Sequence, residues 1–220
     1  MPPRAVVFDL DYTLAVPDRH RQTLLNEATA SAGASDIDRD AYLGAHRENL
    51  TGETREPIFA DLLADRDADA DPAELARAYR RTIADALRPV DGAAGLVREL
   101  RERYRVGLLT NGPVRAQRDK LRTLGWENLF DAVVVTGDLD AGKPDGRAFE
   151  AALESLDAAA GEAVYVGDEV EADVHGASAA GLRVVQVVSP DGPAPDPAAD
   201  AHVDRAELVA RLPAVIAALD

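Results

Sequence analysis

Five short apolar runs, rich in β-branched residues, stand at 5–8, 106–109, 132–135, 163–166 and 184–188, and single helix-length stretches separate most of them. Runs of this length are too short for helices, and the spacing between them suits right-handed β-α-β crossovers. Helical patterns follow at 93–103, 114–124, 147–156, 170–180 and 205–219. The alternation predicts an α/β fold, a doubly wound parallel sheet with a Rossmann-like core and helices on both faces. One interval breaks the rhythm, because the stretch between Asp9 and Tyr104 is far longer than one crossover helix needs. It holds helix-like segments such as 21–32 and 73–87, separated by breakers at Gly33, Gly52, Pro57 and Pro72. The expected organisation is an α/β core of 1–16 and 89–220 with an α-helical cap inserted at 17–88.

Composition narrows the partners. The chain carries 40 acidic against 24 basic residues, a formal net charge of -16, which repels nucleic acid and anionic membranes. No apolar run approaches the roughly 18 to 20 residues of a membrane span, and the N-terminus lacks the apolar stretch of a signal peptide. With 0 cysteines, disulfides, thiolate catalysis and Cys-ligated zinc are excluded. These features predict a soluble, cytoplasmic protein. The acidity also suits a solvated surface in concentrated salt, so a salt-rich cytoplasm is a hypothesis from composition. An Ala/Asp run at 65–71 reads as a solvated turn and 190–200 as a surface loop. The histidines are scattered, and none has zinc-ligand spacing.

In open parallel sheets ligands bind at the carboxyl ends of the strands, so the residues just after each run are the informative ones. After the first come Asp9 and Asp11, two apart and therefore on one face of an extended chain. Two such anions repel unless a cation or a shared proton relieves them, although an Asp pair can also be a turn signal. After the second come Thr110, Asn111 and Gly112, a hydroxyl and a turn opening into a helix, which reads either as an anion site or as an ordinary cap. Lys143 precedes Pro144 at the start of a predicted helix, where a cation opposes the helix dipole. Lys120 and Lys143 are the only lysines, and an anion-binding role for Lys143 is the preferred reading. After the fourth run lie Asp168, Glu169, Glu171 and Asp173, which can cap a helix or, facing Asp9, hold a hard cation such as magnesium.

Taken in this order, the four strand ends resemble those of the haloacid-dehalogenase-like hydrolases, in the phosphoglycolate phosphatase-like branch with a helical cap after the first strand. The motif Asp-x-Asp-x-Thr stands as Asp9, Asp11 and Thr13. Thr110, Lys143 and the pair Gly167-Asp168 with Asp173 follow at the later strand ends. The resemblance implies a magnesium-dependent phosphatase acting through an aspartyl-phosphate. In it Asp9 is nucleophile and metal ligand, and Asp11 is general acid and base while offering a backbone carbonyl to the metal. Asp168 is the third protein ligand, with Asp173 in support. Thr110, Lys143 and the backbone of Asn111 and Gly112 would hold the phosphoryl oxygens. Where the family often has Gly or Asp, this chain has Tyr12, and Glu169 occupies a position commonly held by a small or hydroxyl residue. The implied substrate is a small phosphorylated metabolite, with Tyr42, Arg47 and Arg55 of the cap as candidate leaving-group contacts. A phosphomutase on the same scaffold is the alternative. Dehalogenation is disfavoured by the acid at Asp11, and a non-catalytic phospho-acceptor by the large cap.

Overall fold

The computed structural model describes residues 2–64 and 70–219, so most of the Ala/Asp run at 65–71 lies outside the described residues. A 6-stranded sheet has the order β5-β4-β1-β6-β7-β8, with every neighbouring pair parallel. Its strands are β1 (Ala5–Phe8), β4 (Arg105–Thr110), β5 (Ala132–Val135), β6 (Ala163–Gly167), β7 (Arg183–Val188) and β8 (Ala201–Asp204). The central strand β1 shows why such runs are apolar throughout. Val6 and Phe8 enter one core with Leu96, Val97, Leu208 and Leu212, while Ala5 and Val7 enter the other with Phe149, Tyr165 and Val174. Side chains alternate across a strand, so a strand covered on both faces needs apolar residues at every position.

The crossover helices are α5 (Ala93–Arg101), α6 (Val114–Leu124), α7 (Gly146–Ser155), α8 (Gly176–Ala179) and α9 (Leu208–Ala218). Asp145 caps α7 by accepting from the Arg147 N-H at 3.0 Å, which leaves Lys143 and Pro144 in the loop ahead of the helix rather than at its first turn. The helix predicted at 170–180 is also modified: Val170–His175 forms a wide π-helical turn before α8 begins. β8 was not expected. It is a four-residue edge strand with one fully buried residue, Val203, and its Ala-His-Val-Asp sequence lacks an apolar run.

Between β1 and β4 the chain forms a short antiparallel ribbon, β2 (Ala15–Pro17) with β3 (Leu87–Pro89), pairing Val16 with Arg88. The ribbon carries the chain out to, and back from, four helices: α1 (Arg21–Ala32), α2 (Arg39–Glu48), α3 (Glu56–Leu63) and α4 (Pro72–Ala86). These surround an apolar cluster of their own, including Leu24, Ile58, Phe59, Leu75, Tyr79 and Ile83. The loop before α3 docks on the turn after β5 and on the start of α6 through backbone hydrogen bonds: Gly52 N-H to Gly137 O, Val114 N-H to Gly52 O and Arg115 N-H to Glu53 O, each 3.0 Å. Among the described residues no helix is long and apolar enough to cross a membrane.

Candidate active site

Asp9 follows β1 directly, and its N-H donates to Val166 O at 2.9 Å, which anchors it between β1 and β6. Beyond it the chain winds through one tight turn. The N-H groups of Leu14 and Ala15 both donate to Leu10 O at 3.0 Å, and Tyr12 takes a left-handed conformation with φ 61°. That conformation costs a residue other than Gly, Asn or Asp roughly 1–2 kcal/mol. Tyr12 is held by its carbonyl, which accepts from Arg205 at 3.1 Å, and by Arg21, whose Nε donates to the phenol at 3.3 Å.

Lys143 is 2% exposed, and its Nζ donates to Asp9 Oδ1 at 2.7 Å, Asp173 Oδ1 at 2.7 Å and the Tyr165 hydroxyl at 2.8 Å. The ammonium thus bridges two buried carboxylates, protein partners that stand beside the phosphoryl-binding role the resemblance implies. Burial alone would lower the Lys143 pKa, but Asp173, Asp9 and Tyr165 raise it well above the usual lysine value. The other oxygen of Asp173 accepts from the N-H groups of Asp168 (3.1 Å) and Glu169 (3.0 Å). Gly167 is required for this packing, since a Cβ there would lie 2.5 Å from the Asp173 carboxyl.

Asp168 accepts from Thr13 Oγ1 at 3.1 Å. Ligand oxygens of Asp9, Asp168 and Asp173 lie within 4.8 Å of one another, and all three residues are buried. Burial, reinforced by Asp173 and Asp11 against the opposing Lys143, raises the Asp9 pKa to about 7. Burial with Asp173, Asp9 and Glu169 pushes Asp168 well up. Lys143 pairs with Asp9 and Asp173, and no ion pair among the described residues meets the carboxylates of Asp168 and Glu169. A hard cation with oxygen ligands is the group that would relieve such a surplus of carboxylate, so the donor set fits magnesium.

Thr110 ends β4, and its buried Oγ1 has no hydrogen-bond partner, so a hydroxyl stands ready at the cavity wall. Asn111 is tied to the lysine loop in both directions, its amide donating to Lys143 O and accepting from Lys143 N-H, each at 2.9 Å. The N-H of Gly112, expected to face a phosphoryl group, instead donates to Thr136 Oγ1 at 3.0 Å.

Asp11 shares the cavity with Asp9, but its carboxylate turns toward the helical insertion and α6. Arg21 donates to Oδ1 at 2.8 Å and Lys120 pairs with Oδ2. Although burial would raise its pKa, Lys120 and Arg21 hold it far below the usual carboxylate range. Sequence reasoning missed Arg21, Lys120 and Tyr165. The rarity of lysine was the available signal for Lys120, and for Tyr165 it was a hydroxyl inside an apolar strand, which must find a buried partner. Asp9, Asp11, Thr110, Lys143 and Asp173 open on one cavity of about 540 Å³, also lined by Tyr42, Arg47 and Arg55 from the insertion.

A parallel sheet with a carboxylate cluster at its strand ends and a helical insertion over it agrees with the sequence comparisons. The description haloacid dehalogenase-like hydrolase matches residues 6–187. A glyceraldehyde 3-phosphate phosphatase of Methanopyrus kandleri is 31% identical over 198 residues, 84% of this chain and 83% of that protein. A phosphoglycolate phosphatase of Cereibacter sphaeroides is 35% identical over 201 residues, 81% of this chain and 82% of that one. A solved HAD phosphatase from Thermococcus onnurineus superposes with a TM-score of 0.68 at 26% identity, covering 95% of this chain and 97% of the other. The chain belongs to the haloacid dehalogenase-like hydrolase family. Within that family it falls among the phosphoric monoester hydrolases.

Proposed function

We propose that this protein hydrolyses a small phosphorylated metabolite with the help of magnesium, carrying the phosphoryl group transiently on Asp9. The observation that supports this best is the buried cluster of Asp9, Asp168 and Asp173, with one ammonium between Asp9 and Asp173, beside the unpartnered Thr110 hydroxyl. On this reading 1–16 and 89–220 form the catalytic core and 17–88 the cap, a division favoured by the separate apolar cluster of the four inserted helices.

Asp9, the Asp11 backbone carbonyl and Asp168 would hold the ion, while Asp173 fixes Lys143 and the N-H groups at the start of the π-helical turn. The bound ion would screen the carboxylates and draw charge from the phosphoryl oxygens. Asp9 attacks phosphorus, forming an acylphosphate as the bond to the leaving oxygen breaks. The alcohol leaves with a proton from Asp11. Water then attacks phosphorus, Asp11 accepts its proton, and Asp9 and inorganic phosphate are released. Thr110 and Lys143 donate to the phosphoryl oxygens throughout. Proton donation by Asp11 requires its carboxylate to leave Arg21 and Lys120, so substrate entry and the rearrangement of that pair belong to one event.

Phosphate release from p-nitrophenyl phosphate is expected to depend on magnesium and to stop on chelation. Magnesium should also raise the melting temperature, because only the folded chain assembles the carboxylates. Full activity in a chelator, with no thermal shift, would remove the metal from the account.

A further inference from the structure

Among the described residues, only Tyr12 and Asp157 combine a side chain with a positive φ, at 61° and 48°. Asp157 is exposed and of a residue type that tolerates the left-handed region. Tyrosine is not, and at the other positive-φ positions the described chain places glycine. A strained residue persists only where its surroundings over-determine it, and such outliers cluster at functional sites. Tyr12 lines the strand-end cavity and meets Arg21 there. Arg21 Nε donates to the Tyr12 hydroxyl at 3.3 Å, and the guanidinium carbon lies 5.5 Å from the centre of the Tyr12 ring. The same guanidinium donates to Asp11 Oδ1 at 2.8 Å, and the Arg21 side chain is only 9% exposed. Among the described residues Asp11 is its one ion-pair partner. A guanidinium keeps its proton, so when Asp11 turns away to donate to a leaving oxygen, a buried cation loses its counter-ion. That loss opposes the turn.

We propose that Tyr12 is a positioning residue for phosphoryl transfer, holding Arg21 in place when Asp11 leaves it and so making the acid easier to release. This rests on the phosphatase reading, in which Asp11 supplies the proton. Tyr12 is the partner that stays. Its N-H donates to Ala15 O at 2.8 Å and its carbonyl accepts from Arg205 at 3.1 Å, which fixes the residue independently of Asp11. The ring face and phenol oxygen then stabilise the guanidinium without a carboxylate. A glycine at this position would relax the backbone but leave Arg21 to Asp11 alone. Tyr12 touches no reacting atom, so its effect lies on the chemical step and is felt through Asp11.

The test compares phenyl phosphate with p-nitrophenyl phosphate, whose departing oxygen has less need of a proton. Single-turnover phosphoryl transfer with magnesium is measured on the unaltered protein, Tyr12→Gly and Tyr12→Phe. Tyr12→Gly should slow transfer from phenyl phosphate by about 10-fold, the worth of one cation–π contact together with one hydrogen bond to a charged group. Transfer from p-nitrophenyl phosphate should slow by less. The loss should fall on the maximal rate and not on the substrate concentration that gives half of it. Tyr12→Phe keeps the ring and should lie between Tyr12→Gly and the unaltered protein. Both substrates are compared within each variant, so a smaller folded fraction does not enter their ratio. Equal losses on the two substrates would make Tyr12 a structural residue of the turn, and no loss would make its strain merely tolerated; either result overturns the proposal while the phosphatase reading stands. No transfer from either substrate by the unaltered protein would sink that reading and the role of Tyr12 with it.

Discussion

At the scale of single residues, the site is a set of buried charges that hold one another in place. Lys143 is the clearest case, because its ammonium is shared between Asp9 and Asp173 in the interior. Removing one partner of a buried ion pair strands the other, at a cost of about 3–5 kcal/mol. Lys143→Ala should therefore lose both turnover and stability, with the denaturation midpoint falling by a corresponding amount. An unchanged midpoint would mean that the two carboxylates do not depend on the lysine. The sequence pointed to Lys143 through the rarity of lysine, but its partners come from the end of β1 and from the π-helical turn, 134 and 30 residues away, and no local pattern joins them. The same holds for Asp11. Its place in the motif was legible, whereas its capture by Arg21 and Lys120 depends on how α1 and α6 approach the turn after β1.

At the scale of elements, legibility followed unbroken apolar runs and helical periods. The runs at 5–8 and 132–135 coincide with β1 and β5, and the amphipathic pattern at 114–124 with α6. The ribbon strands β2 and β3 and the edge strand β8 mix polar residues or proline into three or four positions, so no apolar run marks them. The ribbon matters functionally, since it, the loop at Gly52 and the Arg80–Asp119 pair between α4 and α6 join the inserted helices to the rest of the fold. Gly137 is the hinge of the loop contact: a Cβ there would lie 2.5 Å from Val114 N and 2.6 Å from Gly52 O. Gly137→Ala should push the loop off the turn after β5, displace Arg55 and lower kcat/KM by roughly 10- to 100-fold, with the far-ultraviolet circular dichroism unaltered. Undiminished kcat/KM would show that loop docking does not position the site.

For the whole molecule, 40 acidic against 24 basic residues repel one another in dilute buffer, and the ion pairs on the surface are mostly exposed and individually weak. Salt screens both, and with so large an imbalance the relief of repulsion should dominate. The melting temperature is therefore expected to rise between about 0.1 M and about 1 M potassium chloride. A fall over that range would mean that the ion pairs outweigh the net charge. The central claim, that Asp9 carries the phosphoryl group, is tested most directly by trapping it. The Asp11→Asn protein should form the acylphosphate from an activated aryl phosphate but hydrolyse it slowly, since general acid-base help is worth roughly 10²- to 10⁴-fold. Acid quenching during turnover with magnesium, followed by proteolysis and mass spectrometry, should find one phosphoryl group on the peptide containing Asp9, removable by hydroxylamine. Phosphate release by the unaltered protein with no phosphoryl group on Asp9 in either protein would contradict the account.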